Sequence, residues 1–501
     1  MQPDSIIRAF DVAKALAFVG DFSMGQPTDH SLRTAWIARK LAAVDGLSSV
    51  DVDVVCEASL LRWTGCIASA VRPGELPSDD IAEKAGLVGS RTAWINAKDP
   101  NVSFEEAIRP LALIHCEASE EIGRMLYLGG AAQGTLRRIF EIYDGRRKPL
   151  RAAPDRIPRP VFIVSLASDL EIFTRAYGVE GAMTLLSEKG GTDYPANLAR
   201  VVMAHSPQWL SELDRMSAEE LDTSILTGDL QKIVSTELIA DVVDLKLPWA
   251  AGASRIVAQV AAACCRSMGL NEESQTRVYR AGLIHGIGNV AVAGAMWSDP
   301  ASRSASAWEK VRLAPYWTLR AGKQIPALAQ EAEIASFAHE RLDGSGYFRG
   351  AVGNSIPLEA RILGAAVAWV ELRSARPWRE GLPATEAMAQ LENEVRIGRF
   401  EPSIVGCVGS NRPGERRFRP TRSKNLLSSR EIEVLHRISL GGSNKEVARD
   451  LRLSPSTVRT HVESIFRKLE CSTRTAATFK ASSMGLLPSE PTGFCPAIDR
   501  V

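Results

Sequence analysis

Ser456, Arg459, Thr460, Glu463 and Arg467 recur every three to four residues near the end of the chain. On a helix such residues share one face. Their chemistry is that of duplex DNA. A guanidinium such as Arg459 can grip O6 and N7 of guanine, a carboxylate such as Glu463 can accept from N4 of cytosine, and Thr460 can meet a thymine methyl. Ser456, Thr457, Lys445, Arg467 and Lys468 suit phosphates, which set register without reading sequence. Asn444, opening the preceding helix, completes the candidate DNA-binding set.

The elements that must position these groups are legible around them. Leu427–Leu469 reads LSSREIEVLHRISLGGSNKEVARDLRLSPSTVRTHVESIFRKL. Ser428 or Ser429 is placed to cap a helix that carries acids in its first turn. Gly441-Gly442 would end it. A second helix runs from Asn444 to Leu451, Leu453-Ser454 make a tight turn, and Pro455 fits a first helical position. On the last helix Val458, Val462, Ile465 and Leu469 form an apolar stripe that would pack on Val447, Ala448 and Leu451, leaving the polar row outward. A single charged helix would read as a solvated face. Capped helix, glycine stop, tight turn and polar-faced helix in this order point instead to a helix entering a major groove.

The other histidine-bearing segments form a repeat. His30 in DHSLRTAWIARKLA and Ala253 in GASRIVAQVAAACC each precede a second mark by 32 residues, Arg62 in LLRWTG and His285 in LIHGIG. Asp144-Gly145 precedes Ile157-Pro158 by 13 residues, and Asp343-Gly344 precedes Ile356-Pro357 by the same 13. Equal spacings in one order indicate duplication. His115 and His205 show no partner in the sequence.

Residues 425–486 resemble the LuxR/GerE family of helix-turn-helix domains, on LSSREIEVL, SNKEVARDL, SPSTVRTHVESIFRKL and STRTAA. The resemblance implies double-stranded DNA as partner. It also implies a homodimer contact through the helix after Ser472, here Thr473–Met484. Asp241–Gly409 resembles the HD-GYP family of metal-dependent phosphodiesterases that cut cyclic di-GMP, on LIHGIGNVAV, VRLAPYWT, AHERLDGSGYFRG, ARILGAAVAWVEL and RPW. Two such units before a LuxR-type domain resemble multidomain regulators of actinobacteria.

That family's two metals take histidines and aspartates from several helices. Here the opening position is Ala253, the His-Asp doublet is His285-Gly286, the His before Pro is Ala314, the His-His pair is Ala338-His339 and the late acid is Val367. Asn289 replaces the lysine after the doublet, and Phe348 replaces the proline of the GYP mark. Only His285 and His339 persist. Two neutral imidazoles cannot neutralise two divalent ions or fix a bridging hydroxide. The first copy keeps His30 but has Arg62-Trp63 at the doublet. The expectation is therefore no enzyme, no catalytic residue, no metal and no cofactor. His285 and His339 are read as vestigial positions, either core histidines or remnants of a ligand contact. The competing reading is a cyclic di-GMP phosphohydrolase with a DNA-binding tail. A third is a regulator that binds a nucleotide or other small molecule in the old pocket.

Bulk properties frame this reading. The chain has 501 residues, 45% hydrophobic and 24% charged, with net charge +1. Any basic surface is thus local. The N-terminus does not read as a signal peptide, and no apolar run reaches the ~18 residues of a membrane helix. The eight cysteines include no C-x-x-C pair. They read as buried reduced thiols, and the whole as cytoplasmic. The expected fold is all-α, two HD-type helical domains in tandem followed by a four-helix LuxR-type domain. Expected boundaries are 1–215, 235–409, a basic linker 410–424 with six Arg and Lys, and 425–487.

Overall fold

The computed structural model describes residues 6–67, 104–144, 157–292, 294–297, 303–376, 378–410, 426–439, 443–483 and 486. The basic linker, the Gly441-Gly442 stop, Gly145 and the Arg146–Pro149 stretch, and Met484 lie outside them. The described chain is mostly helical with almost no sheet, as expected. Among the described residues the strands are β1 (Ile6–Arg8) and β2 (Ile233–Ser235), paired antiparallel with Ile7 opposite Val234.

Two compact units make up the chain. One takes Met1–Lys246, Gly286–Trp297 and Ser304–Ala332, the other Leu247–His285, Ser298–Arg303 and Glu333–Val501. In chain order the first helices are α1 (Ala9–Ser23), α2 (His30–Val44), α3 (Ser49–Leu61), α4 (Phe104–Met125) and α5 (Gly130–Arg137). They are followed by α6 (Arg159–Lys189), α7 (Ala196–Leu213), α8 (Ala218–Ile225) and α9 (Glu237–Asp244). The next are α10 (Ala253–Ser267), α11 (Glu272–Ile284), α12 (Ala305–Arg312), α13 (Ala314–Gly322) and α14 (Ala329–Ala335). Then come α15 (Leu358–Arg373), α16 (Ala384–Arg396) and α17 (Pro402–Ser410). Last are α18 (Ser429–Ser439), α19 (Asn444–Asp450), α20 (Pro455–Lys468) and α21 (Arg474–Ser483).

In the first unit α1, AFDVAKALAFVGDFS, is buried on nearly every side. A helix buried on nearly every side belongs at the centre of a core, and its neighbours include α2 and α3. Gly288 shows how tightly the 3-10 turn Ile287–Ala291 meets α13 in this unit. A Cβ there would lie 1.8 Å from the Ala314 carbonyl oxygen, so only glycine fits.

The two equal spacings fall on helices of equal length. His30 and Ala253 are the first residues of α2 and α10, each 15 residues long. Arg62 and His285 follow the last residues of α3 and α11, each 13 residues long. Ile157-Pro158 and Ile356-Pro357 directly precede α6 and α15, where proline sets the extended backbone before a first turn.

Candidate functional site

The C-terminal helices close around one small core. Val458, Val462, Ile465 and Leu469 are buried against Val434, Leu435, Ile438, Val447 and Ala448, with Leu451 partly buried beside them. Ser443 and Glu446 form a capping box at α19. Arg452, at φ 52°, turns the chain toward α20, where Ser454 caps by accepting from the Thr457 N–H at 3.0 Å. Glu431 ties the elements together. Its carboxylate accepts from the Ser428 N–H (2.7 Å) and the Ser464 hydroxyl (2.7 Å), and pairs with Lys468 Nζ at 2.7 Å. Burial alone would raise this carboxyl. Lys468, Ser428 and Ser464 outweigh burial and hold it at about 2. An S-x-x-E signature at Ser428 is the sequence signal for this capping role.

With that core inside, Lys445, Ser456, Thr457, Arg459, Thr460, Glu463 and Arg467 are exposed. Arg459 Nε donates to Glu463 Oε1 at 2.9 Å, with side chains 76% and 63% exposed. An exposed pair of this kind is worth about 0.5 kcal/mol or less, so exchanging it for base edges costs little. Two candidates use their polar groups within the domain. Asn444 Oδ1 accepts from Arg474 at 2.7 Å, and Lys468 is the partner of Glu431.

The histidines of the second copy sit in the second unit. His285 Nδ1 lies 2.7 Å from the Gly282 carbonyl oxygen. A carbonyl only accepts, so Nδ1 carries the proton and Nε2 the lone pair. The His339 ring stacks on Tyr347, centroids 4.9 Å apart and 11° from parallel. Burial, aided by Arg341, pushes His339 down to about 4, and burial likewise lowers His285. Both imidazoles are therefore neutral near pH 7. Glu371, one turn beyond the apolar Val367, pairs with Arg376 at 3.8 Å. Among the described residues no three His, Cys, Asp or Glu side chains converge to hold a metal. Among the described residues the donor set around His285 and His339 does not fit a two-metal centre.

The loop carrying DGSGYFRG is firmly built. Glu340 accepts from the Arg349 N–H (2.7 Å) and the Ala351 N–H (2.9 Å). The Arg349 guanidinium lies 4.3 Å and 4.5 Å from the Phe337 and Phe348 ring centroids and donates to the Ser336 hydroxyl. A Cβ on Gly346 would meet the Arg341 nitrogen at 2.4 Å.

In the first copy His30 is fully buried. Its Nδ1 lies 2.5 Å from Glu171 Oε2, and its Nε2 lies 3.3 Å from the Ser168 hydroxyl. Arg33 and Arg175 also pair with Glu171. Arg62 is buried, donates to the Ser165 hydroxyl and lies over the Trp63 ring. Sequence reasoning missed two histidine environments. His205 stacks on Trp209, and His115 lies between the Cys66 thiol and the Arg62 carbonyl.

Fold and sites together define an all-helical HD-type protein that ends in a helix-turn-helix. A model of the HD domain matches residues 237–404, and a model of bacterial regulatory proteins of the luxR family matches residues 425–481. The chain therefore carries an HD domain and a C-terminal DNA-binding domain of the luxR family. It is 24% identical over 419 residues to 3'3'-cGAMP-specific phosphodiesterase 3 of Vibrio cholerae, covering 77% of this chain and 91% of that protein. It is 43% identical over 86 residues to the probable transcriptional regulatory protein NarL of Mycobacterium tuberculosis, covering 17% of this chain and 38% of that one. A crystal structure of a V. cholerae cyclic GMP-AMP specific phosphodiesterase superposes with a TM-score of 0.57 at 21% identity, over 81% of this chain and 97% of that one.

These findings correct one expectation. The missing ligand positions predict a protein that is not an enzyme. The similarity to a phosphodiesterase spans 77% of this chain and the HD match covers residues 237–404, and this overturns the expectation of no enzyme. The lost metal positions are single residues, whereas the similarity runs along most of the chain. Among the described residues no helix is long and apolar enough to cross a membrane.

Proposed function

We propose that the protein is a transcription regulator that docks α20 in the major groove of duplex DNA and senses a ligand through its HD region. The observation that carries this is the inward Val458, Val462, Ile465 and Leu469 stripe, which leaves Arg459, Thr460 and Glu463 facing solvent together. In this reading Arg459, Thr460 and Glu463 meet base edges, while Lys445, Ser456, Thr457 and Arg467 meet phosphates. Asn444 and Lys468 act at the edge of the contact, since each is also tied within the domain. Helix α21 pairs two copies, giving a homodimer on a two-fold site. The domain division is 1–215, 235–409, the basic linker 410–424, and 425–487. Enrichment of randomised duplexes on the full chain is expected to return one defined motif. Recovery of unrelated sequences alone would reject base reading.

The HD region is proposed to take a cyclic dinucleotide of the 3'3'-cGAMP type, the substrate named for the relative that covers most of this chain. Calorimetry with 3'3'-cGAMP is expected to give saturable binding, and chromatography of the same mixture shows whether the nucleotide is cut. Absence of binding heat with the nucleotide unchanged would remove this ligand class.

A further inference from the structure

Cys66 closes the 3-10 turn Thr64–Cys66, and His115 lies on α4. They belong to the same unit. Two contacts hold the turn against the helix. A Cβ on Gly65 would lie 2.2 Å from the His115 carbonyl oxygen, and the Gly65 N–H donates to the Ser119 hydroxyl at 3.1 Å. This close approach puts Cys66 Sγ 3.1 Å from His115 Nδ1.

The other ring nitrogen decides the roles. His115 Nε2 lies 2.6 Å from the Arg62 carbonyl oxygen. That oxygen can only accept, so Nε2 is protonated and Nδ1 presents its lone pair to the thiol. Nucleophile, base and an orienting acceptor thus stand in line, the arrangement that activates a thiol. The ring is held by Phe140 at 4.6 Å and Trp63 at 6.2 Å between centroids. On the turn side the Arg62 guanidinium donates to the Ser165 hydroxyl at 3.2 Å.

The other buried cysteines contrast with it. Cys56, Cys116, Cys264 and Cys265 are 0–1% exposed, while Cys66 is 8% exposed. Burial pushes the Cys56, Cys116 and Cys265 thiols up to about 12, which makes them inert at neutral pH.

We propose that Cys66 and His115 form a thiol–imidazole dyad that makes Cys66 the site of modification by hydroperoxides and small electrophiles. The thiol proton passes to His115 Nδ1. The thiolate attacks one oxygen of the hydroperoxide, an S–O bond forms and the O–O bond breaks. Sulfur is oxidised by two electrons to a sulfenic acid and the peroxide is reduced. The departing oxygen takes the imidazolium proton and leaves as water or an alcohol, and His115 returns to neutral.

The test is rate measurement on the full chain with iodoacetamide from pH 5.5 to 9, read by peptide mass spectrometry. An unassisted thiol of pKa ~8.5 is about 1% thiolate at pH 6.5 and gains about tenfold per pH unit below its pKa. The dyad predicts a wild-type Cys66 rate nearly flat above pH 7 and at least about tenfold faster at pH 6.5 than in H115Q. Cys471, partly exposed in the C-terminal domain, is the internal reference and keeps its rate in H115Q. Dimedone after hydrogen peroxide is expected to tag Cys66 in the wild type. A wild-type Cys66 profile that climbs tenfold per unit through pH 8, or labelling of Cys471 without Cys66, overturns the proposal. The wild-type profile decides the matter even where H115Q folds poorly.

Discussion

Glu431→Ala is expected to lower the stability of the C-terminal domain by about 3 kcal/mol and to abolish duplex binding with it. The carboxylate is 5% exposed and holds three partners from two ends of the domain. Its removal strands the Ser428 N–H at the start of α18 and the Lys468 ammonium at the end of α20. A domain of about sixty residues has little stability to spare, so this loss is most of it. The same group sets a pH response. Its folded value is about 2, below the ordinary 4.5, so the folded state binds the proton less readily than the unfolded chain. The stabilisation is complete above pH 4.5 and is lost as pH falls from there toward 2. Thermal unfolding followed by circular dichroism between pH 2.5 and 7 checks this. The wild type should lose stability below pH 4.5, and Glu431→Ala should show a smaller dependence there. Equal slopes for the two chains would remove Glu431 as the fastening group.

Arg459→Ala is expected to leave the fold intact and to weaken binding to the preferred duplex by about 1–3 kcal/mol, roughly 5- to 150-fold. The side chain is 76% exposed and its partner in the protein is Glu463, so the domain loses almost nothing. The preferred duplex loses a bidentate base contact, while unrelated duplexes lose only a general attraction. Preference therefore relaxes more than affinity for random sequence falls. Arg467→Ala supplies the contrast, with a uniform loss on all sequences and a salt dependence shallower by about one unit. Competition titrations with preferred and scrambled duplexes separate the two. Uniform loss in Arg459→Ala would assign that residue to phosphate instead.

The helix-turn-helix segment was legible because its signals are local. Caps, a proline at a first turn and a stripe at helical spacing act within about forty residues, and each reappears in the structure at α18 to α20. The equal spacings have a related basis: His30 to Arg62 matches Ala253 to His285, and α2 and α10, like α3 and α11, have the same lengths. Contacts between distant segments were not legible. Cys66 and His115 stand 49 residues apart, and His30 and Glu171 stand 141 apart. No periodicity encodes such pairs, because they depend on where α4 and α6 come to rest. The likeness of the HD region to a phosphodiesterase was not legible at its ligand positions, because it runs along 77% of the chain rather than through a few residues.

Fluorescence anisotropy of a labelled duplex carrying the enriched motif, titrated with the full chain at stepwise salt, bears most directly on whether α20 and its basic surroundings hold DNA. Saturable binding is expected at 50 mM salt, weakening linearly on a log–log plot with a slope of about −0.9 per phosphate neutralised. A chain that folds correctly yet leaves the anisotropy unchanged at 50 mM salt would contradict the assignment of α20 as a DNA-reading helix.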